Sequence, residues 1–194
     1  FGLSKKTVVV EGTADCNACM FGVGGVRPNG MTLIGGTSTC LLGLSEEEFH
    51  VDGVNGTYPN CMYDGTSLLE GGQTAAGSIL TWFKNNLLPA AWMQEAVNRN
   101  MNIYDLITEK ASAVPIGCDG LVMMDYFQGN RAPYADSKAR GMFWGLSIGT
   151  TPAHLARAVY EGVAYGANHC IVSMKKAGYD VKEIYACGGL AQSD

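Results

Sequence analysis

The stretch Met31-Thr32-Leu33-Ile34-Gly35-Gly36-Thr37-Ser38-Thr39-Cys40 decides how the rest of the chain is interpreted. An apolar run ends in two glycines and three hydroxyl residues, and an apolar pair follows, which predicts a strand, a tight turn and a second strand. Glycines let a backbone approach a ligand closely, and successive N–H groups beside Thr and Ser hydroxyls can bind phosphate oxygens. An ordinary hairpin with a polar tip explains the stretch equally well, so other segments of the chain must distinguish between a phosphate-binding loop and a plain turn.

The composition bounds the class of protein. With 194 residues the chain can bury a sizeable core as one large domain or two small ones. Its 26 glycines are spread along the chain in short pairs, which favours an α/β fold with many close-approach loops. The net charge is −5 and no basic run exceeds two residues, so neither nucleic acid nor a membrane is expected as a partner.

The cysteines are odd in number and lie within apolar or small-residue runs, which predicts free buried thiols in a reducing cytoplasm. The seven are Cys16, Cys19, Cys40, Cys61, Cys118, Cys170 and Cys187. Cys16 and Cys19 form a C-x-x-C, but no second pair and no nearby His accompany it. We therefore expect neither a zinc site nor a redox role there, and no metal ligands elsewhere.

Asp15 is the candidate catalytic residue. The β-branched run Thr7–Val10 predicts a buried strand, and residues 16–25 predict a short packed helix that Asp15 precedes. One interpretation makes Asp15 the N-cap of that helix. The other makes it a general base at the C-terminal end of a strand, where open α/β sheets carry their chemistry.

Further elements follow from periodicity and turn residues. One helix is predicted with Ile79, Leu80, Phe83 and Leu87 on its apolar face, and a second, more exposed helix over residues 98–113. Residues 120–127 predict a buried strand and residues 128–136 a polar loop. The longest helix begins at Thr151 as N-cap and stops at Gly178, and a strand over 181–186 then leads into Gly188 and Gly189.

Taken together, these segments resemble the FGGY carbohydrate kinases, which are sugar and polyol kinases of the actin/hexokinase-like ATPase superfamily. Three segments match the family's long C-terminal signature: Gly141-x-Phe143-x-Gly145-Leu146, His154-Leu155 and Ala158-Val159-Tyr160-Glu161. Phe127-x-Gly129-Asn130-Arg131-Ala132-Pro133 resembles its F-x-G-E-R-T-P segment, with Asn130 and Ala132 departing from the usual Glu and Thr. The resemblance implies an RNase-H-like α/β fold whose mixed sheet is flanked by helices.

The resemblance also implies roles for particular residues. Asp15 matches the catalytic Asp that takes the proton of the sugar hydroxyl. The hairpin residues Gly36, Thr37 and Ser38 match a phosphate-binding loop. Gly77 and Thr81 match a helix start near the ribose and base, whereas Gly188, Gly189 and Ser193 match the adenosine motif. ATP is the implied cofactor, with Mg²⁺ held largely by phosphates and water, and Arg131 and Arg140 are expected to brace their loop.

Within the family, Glu70-Gly71-Gly72-Gln73 and the hairpin look most like the ribulokinase and pentulose kinase branch, which implies ribulose or xylulose as the substrate. We expect residues 1–29 to be the tail of the N-terminal domain and residues 30–194 to be most of the nucleotide-binding domain. As such a fragment, the chain is expected to be inactive alone, and an open sheet edge could support a homodimer. The alternative function is a non-catalytic nucleotide- or sugar-binding regulator of the same fold.

Overall fold

The computed structural model describes residues 2–50 and 54–192. Its helices are α1 (Asp15–Gly22), α2 (Gly77–Asn86), α3 (Ala90–Asn98), α4 (Ile103–Ser112) and α5 (Pro152–Lys176). Its strands are β1 (Gly30–Gly35), β2 (Thr39–Ser45), β3 (Asn55–Pro59), β4 (Ser67–Gln73), β5 (Val122–Met124), β6 (Met142–Trp144) and β7 (Glu183–Cys187). Short 3₁₀ turns cover Cys118–Gly120 and Gly189–Gln192.

Five strands form one mixed sheet in the order β3-β4-β2-β1-β7. The contacts among β3, β4, β2 and β1 are antiparallel, and β7 joins β1 in parallel. The remaining strands, β5 and β6, pair as a separate two-stranded ribbon. The predicted α/β class, with a mixed sheet flanked by helices, is confirmed.

The two faces of the sheet carry different apolar clusters because side chains alternate along each strand. One face packs under α5, with Met31, Leu41, Leu69, Met174 and Tyr179 buried together. The other face packs under α1, where Met20 meets side chains that alternate with the first set, namely Leu42, Leu44 and Leu68. The sheet therefore lies between α5 and α1.

The longest helix begins and ends where the sequence predicts. The backbone N–H and the hydroxyl of Thr151 both bond to Nδ1 of His154, at 3.3 and 2.7 Å, which closes the first turn. Pro152 occupies the first helical position, where its missing N–H costs nothing. At the far end Gly178 has φ +105°, a conformation that glycine adopts without strain.

Several predicted elements were wrong in detail. Residues 7–10 form no strand, and Val8, Val9 and Val10 are 79%, 87% and 80% exposed, because no described strand lies beside them to pair with. The helix predicted over 98–113 is instead α4 preceded by a separate α3. The chain breaks between them at Asn100, which has φ +47°, and the Asn102 side chain then caps α4.

The strand predicted over 120–127 is only three residues long. It pairs with β6 alone, and only Met123 of its three side chains is buried, so Val122 on the opposite face is 49% exposed. β3 was missed because its sequence, Asn-Gly-Thr-Tyr-Pro, is dominated by turn-forming residues. This edge strand nevertheless forms on β4.

Candidate functional site

The predicted hairpin connects β1 to β2 through three exposed residues, Gly36, Thr37 and Ser38. Gly35 and Thr39 are the last paired residues, and the Gly36 N–H donates to the Ser38 carbonyl oxygen at 2.9 Å. The tip is therefore a tight, internally bonded turn whose Thr and Ser side chains face solvent. Such a turn can offer hydroxyl and N–H donors to an anion.

The hairpin docks on the start of α2. The N–H groups of Ala76 and Ser78 donate to the Thr37 carbonyl oxygen at 3.0 and 3.1 Å, and the Gly77 N–H donates to the Gly36 carbonyl oxygen at 3.0 Å. The Ser78 hydroxyl also donates to the Thr37 carbonyl oxygen, at 2.9 Å, which makes four bonds between the hairpin and α2. These bonds satisfy N–H groups that a helix start otherwise leaves unpaired, so they fix the hairpin against α2.

Glycines at the two contacts make this close packing possible. A Cβ on Gly77 would lie 2.6 Å from the Gly36 carbonyl oxygen, and one on Gly188 would lie 2.3 Å from the Gly35 carbonyl oxygen. Gly188 also has φ +90°, so it is doubly constrained. The structure thus brings together three segments predicted separately from the sequence: the hairpin, the start of α2 and the end of β7.

The structure describes one of the two remaining adenosine-motif residues, Gly189, together with its neighbour Leu190. A Cβ on Gly189 would meet no heavy atom within 4 Å, so the backbone there borders open space. Leu190, next along the chain, packs against Gly35 and lies 3.8 Å from where a Gly77 Cβ would stand. Ser193 lies outside the described residues.

Thr81 lies one helical turn beyond Gly77. Its hydroxyl is within 3.2 Å of both the Gly77 carbonyl oxygen and the Tyr104 hydroxyl, so it links α2 to α4. The Lys84 ammonium lies 5.1 Å from the centre of the Tyr104 ring. The Thr81 bond and, secondarily, Lys84 lower the pKa of Tyr104.

Asp15 is the exposed first residue of α1, and its Oδ1 accepts from the Cys16 N–H at 2.8 Å. The N-cap position belongs to Ala14, so the prediction that Asp15 caps the helix was wrong. The prediction that a strand ends just before Asp15 was wrong as well, since residues 7–10 are unpaired.

The packing of α1 places Asp15 towards the hairpin end of the sheet. Cys16 and Cys40 border the same buried cluster, and their thiols interact. The Cys19 thiol interacts in turn with that of Cys187, the residue before Gly188. Because Cys40 follows the hairpin directly, the first turn of α1 lies over the strands that carry the candidate site.

A buried polar pair beside the hairpin was not found from the sequence. The Gln73 amide donates to Asp125 Oδ2 at 2.6 Å and to the Val163 carbonyl oxygen at 2.9 Å. Burial is the main cause that raises the pKa of Asp125. Gln73 also pairs with Thr39 across β4 and β2, so the pair ties the hairpin strand to α5. The sequence signal that could have revealed this pair is Asp125 itself, an acidic residue directly after the apolar run Leu121–Met124.

The loop after β5 is braced by its arginines, as expected. Arg131 forms an ion pair with Glu70 on β4, next to Cys40. Arg140 Nη1 donates to the carbonyl oxygens of Ser137 and Ala139, at 3.1 and 2.8 Å.

Other features of the described chain bear on what it could bind. Among residues 2–50 and 54–192, no group of three or more His, Cys, Asp or Glu side chains could hold a metal ion. No helix in that part combines the length and apolarity that crossing a membrane requires. A small open pocket at the start of α5 is lined by Asp119, Ser147 and His154 among others, but by none of the predicted site residues.

The comparison with protein families assigns the chain to a class. The model of the FGGY family of carbohydrate kinases, C-terminal domain, matches residues 31–194, so the chain belongs to that family. Among individual relatives, the ribulokinases of Bacillus licheniformis and Halalkalibacterium halodurans are 33% and 34% identical to it over 193 residues. These matches cover 100% of this chain but only 35% and 34% of the relatives, so the chain spans about a third of their length.

Solved structures agree on the fold. The chain is similar to the xylulose kinase of Rhodospirillum rubrum, with a TM-score of 0.80 and 29% identity over 93% of this chain and 34% of that one. It is also similar to the gluconate kinase of Lactobacillus acidophilus, with a TM-score of 0.74 and 26% identity over 89% and 33% of the two chains.

Proposed function

We propose that the whole protein phosphorylates a sugar hydroxyl with ATP, and that this chain supplies the nucleotide-binding surface and the general base. The observation that carries the proposal is the convergence of the hairpin, the start of α2 and Gly188 at one end of the sheet. The names of the relatives, ribulokinase and xylulose kinase, support a pentulose such as ribulose or xylulose as the substrate.

The described residues fit a nucleotide. The hairpin residues Gly36, Thr37 and Ser38 are exposed and would offer N–H and hydroxyl donors to the phosphates. Gly77 and Thr81 on α2 would lie near the ribose. The open backbone at Gly189 leaves room for a flat ring, so Gly188 and Gly189 would border the adenine.

Bound MgATP would supply the phosphoryl group and a cation that neutralises its charge. With no acidic cluster among the described residues, we expect the Mg²⁺ to be held mainly by phosphate oxygens and water. The hairpin would then present N–H and hydroxyl donors to the phosphate oxygens in a fixed orientation. Its bonds to α2 would hold the turn rigid before the ligand binds.

Asp15 would act as the general base. Its carboxylate is exposed at the start of α1, and the bond from the Cys16 N–H to Oδ1 fixes its orientation. A carboxylate in that position would accept the proton of the sugar hydroxyl as the oxygen attacks phosphorus. A binding module has no need of a base there, which favours the kinase over a non-catalytic regulator.

The test compares two isosteric variants of the whole protein, Asp15→Asn and Asp64→Asn. Asp64 is also exposed but lies in a loop before β4. We expect Asp15→Asn to lower kcat for sugar-dependent ADP release by about a hundredfold to ten-thousandfold while the Kd for ATP stays unchanged, since only the proton acceptor is lost. The control should match the wild type.

Two outcomes would count against the proposal. If the wild type binds nucleotide but releases no ADP with any pentulose, polyol or sugar acid, the regulator becomes the better interpretation. If Asp15→Asn turns over like the control, Asp15 is not the base.

A further inference from the structure

The C-x-x-C of α1 faces two further cysteines on the sheet. Cys16 and Cys19 are three residues apart, so they lie on one side of the helix. That side packs on the sheet, where Cys16 and Cys40 border the same buried cluster. After burial, the neighbouring helix thiol is the next cause that raises each strand pKa, Cys16 for Cys40 and Cys19 for Cys187, so each helix thiol lies near one strand thiol.

The register of the sheet explains this arrangement. Ile34 on β1 pairs with Cys40 on one side and with Cys187 on the other. Residues directly opposite in neighbouring strands project to the same face, so the three side chains form a row beneath α1. Two strand spacings separate Cys40 from Cys187, about 9–10 Å, which is too far for a bond between those two.

We propose that α1 carries a thiol-oxidation site, at which a small-molecule disulfide converts the Cys16–Cys40 and Cys19–Cys187 pairs into two disulfide bonds. These bonds would attach the helix that carries Asp15 to β2 and to β7, on both sides of β1. The inference concerns the bonds themselves and holds whether or not the proposed kinase activity does.

The chemistry balances within each pair. The Cys19 thiolate attacks one sulfur of the oxidant, which forms a mixed disulfide and releases one small thiolate. The Cys187 thiolate then attacks the Cys19 sulfur, which releases the second small thiolate and closes the protein disulfide. Each pair loses two electrons and two protons, and the oxidant is reduced to two thiols. Cys16 and Cys40 react in the same way.

The environments of the thiols set the order and the pH dependence of the steps. Burial, assisted by Cys16, raises the pKa of Cys40 to about 12, and burial also raises the pKa of Cys187. At neutral pH these two strand cysteines are therefore protonated and nucleophilic attack from them is slow. We expect the helix cysteines to form the mixed disulfides first, and ring closure to become faster as the pH rises.

The experiment treats the reduced whole protein with glutathione disulfide and maps the bonds by mass spectrometry. Chymotrypsin is suitable because cleavage after Phe21 separates both helix cysteines from Cys40. We expect cross-links from the helix peptide to the Cys40 and Cys187 peptides, and a higher Tm that dithiothreitol reverses.

Variants assign each bond. Cys16→Ser should abolish the cross-link to Cys40 and leave that between Cys19 and Cys187, whereas Cys19→Ser should do the reverse. Cys61→Ser is the matched control, because Cys61 is exposed and belongs to neither pair, and it should keep both bonds. An intrahelical Cys16–Cys19 disulfide, or stable glutathione adducts without cross-links, would overturn the inference.

Discussion

Gly77 and Gly36 are in direct backbone contact: the N–H of the first residue of α2 donates to the carbonyl oxygen at the hairpin tip, at 3.0 Å. A methyl group on Gly77 would stand 2.6 Å from that oxygen. The contact fixes how close the hairpin lies to the helix, and with it the shape of the proposed nucleotide site.

Gly77→Ala should therefore separate the hairpin from α2. We expect a loss of about 1–3 kcal/mol in the free energy of unfolding, since a backbone clash cannot be relieved by a side-chain rotation. ATP affinity should fall as well. Urea denaturation and calorimetric titration measure the two effects.

The matched control for that variant is Gly22→Ala, at the end of α1, where an added Cβ meets no heavy atom within 4 Å. It should leave ATP affinity unchanged and should not destabilise the protein. Wild-type stability and affinity in Gly77→Ala would show that the hairpin contact is dispensable.

The buried Asp125 predicts a pH dependence of stability. Burial raises the folded-state pKa of Asp125 above the unfolded value, so proton binding to this carboxyl group stabilises the folded state. The stabilisation is fully present below the unfolded pKa of about 4. That stability is lost as the pH rises through the folded-state pKa. The wild type should therefore lose free energy of unfolding relative to Asp125→Asn as the pH increases from about 4. A difference that stays constant with pH would contradict this, and the exposed Asp64→Asn serves as the control.

Gln73 gives a related but distinct prediction. Gln73→Ala removes the donor to Asp125 and to the Val163 carbonyl oxygen, which should cost about 1–3 kcal/mol. Gln73→Glu keeps the shape but places a second carboxyl group beside Asp125, and the two can share a proton only in acid. Urea titrations should therefore show that Gln73→Glu loses more free energy of unfolding at neutral pH than at about pH 4. Equal deficits at both pH values would argue against contact between these two side chains.

Tyr179 should contribute to stability through its hydroxyl. The fully buried side chain donates towards the carbonyl oxygens of Gly30, at 2.6 Å, and Leu44, at 3.2 Å. Tyr179→Phe should lower the free energy of unfolding by about 1–2 kcal/mol, because it leaves the Gly30 oxygen without this donor. Tyr165→Phe, which removes an exposed hydroxyl, should change stability far less. Equal effects would contradict the assigned role.

The sequence was informative where local signals and tertiary packing agree. The hairpin at Gly36 was predictable because its glycines and hydroxyl residues interrupt two apolar runs. α5 was predictable because Thr151, Pro152 and Gly178 mark its ends. Both elements form as predicted, and the family resemblance that depended on them is confirmed.

The errors arose where partners decide the structure. A β-branched run such as Val8–Val10 becomes a strand only beside another strand, and none is described there. The Gln73–Asp125 pair joins residues 52 positions apart, so no local pattern could reveal it. The convergence of Gly36, Gly77 and Gly188 is likewise long-range, and only the family resemblance predicted that these residues belong to one site.

The most direct test of the central claim is hydrogen–deuterium exchange of the chain with and without a non-hydrolysable ATP analogue and Mg²⁺. We expect slower exchange in the hairpin at 36–38, at the start of α2 and around Gly188 and Gly189, since ligand contacts and reduced opening both protect these amides. No protection in these segments, or protection confined to the pocket lined by Asp119 and His154 at the start of α5, would contradict the account.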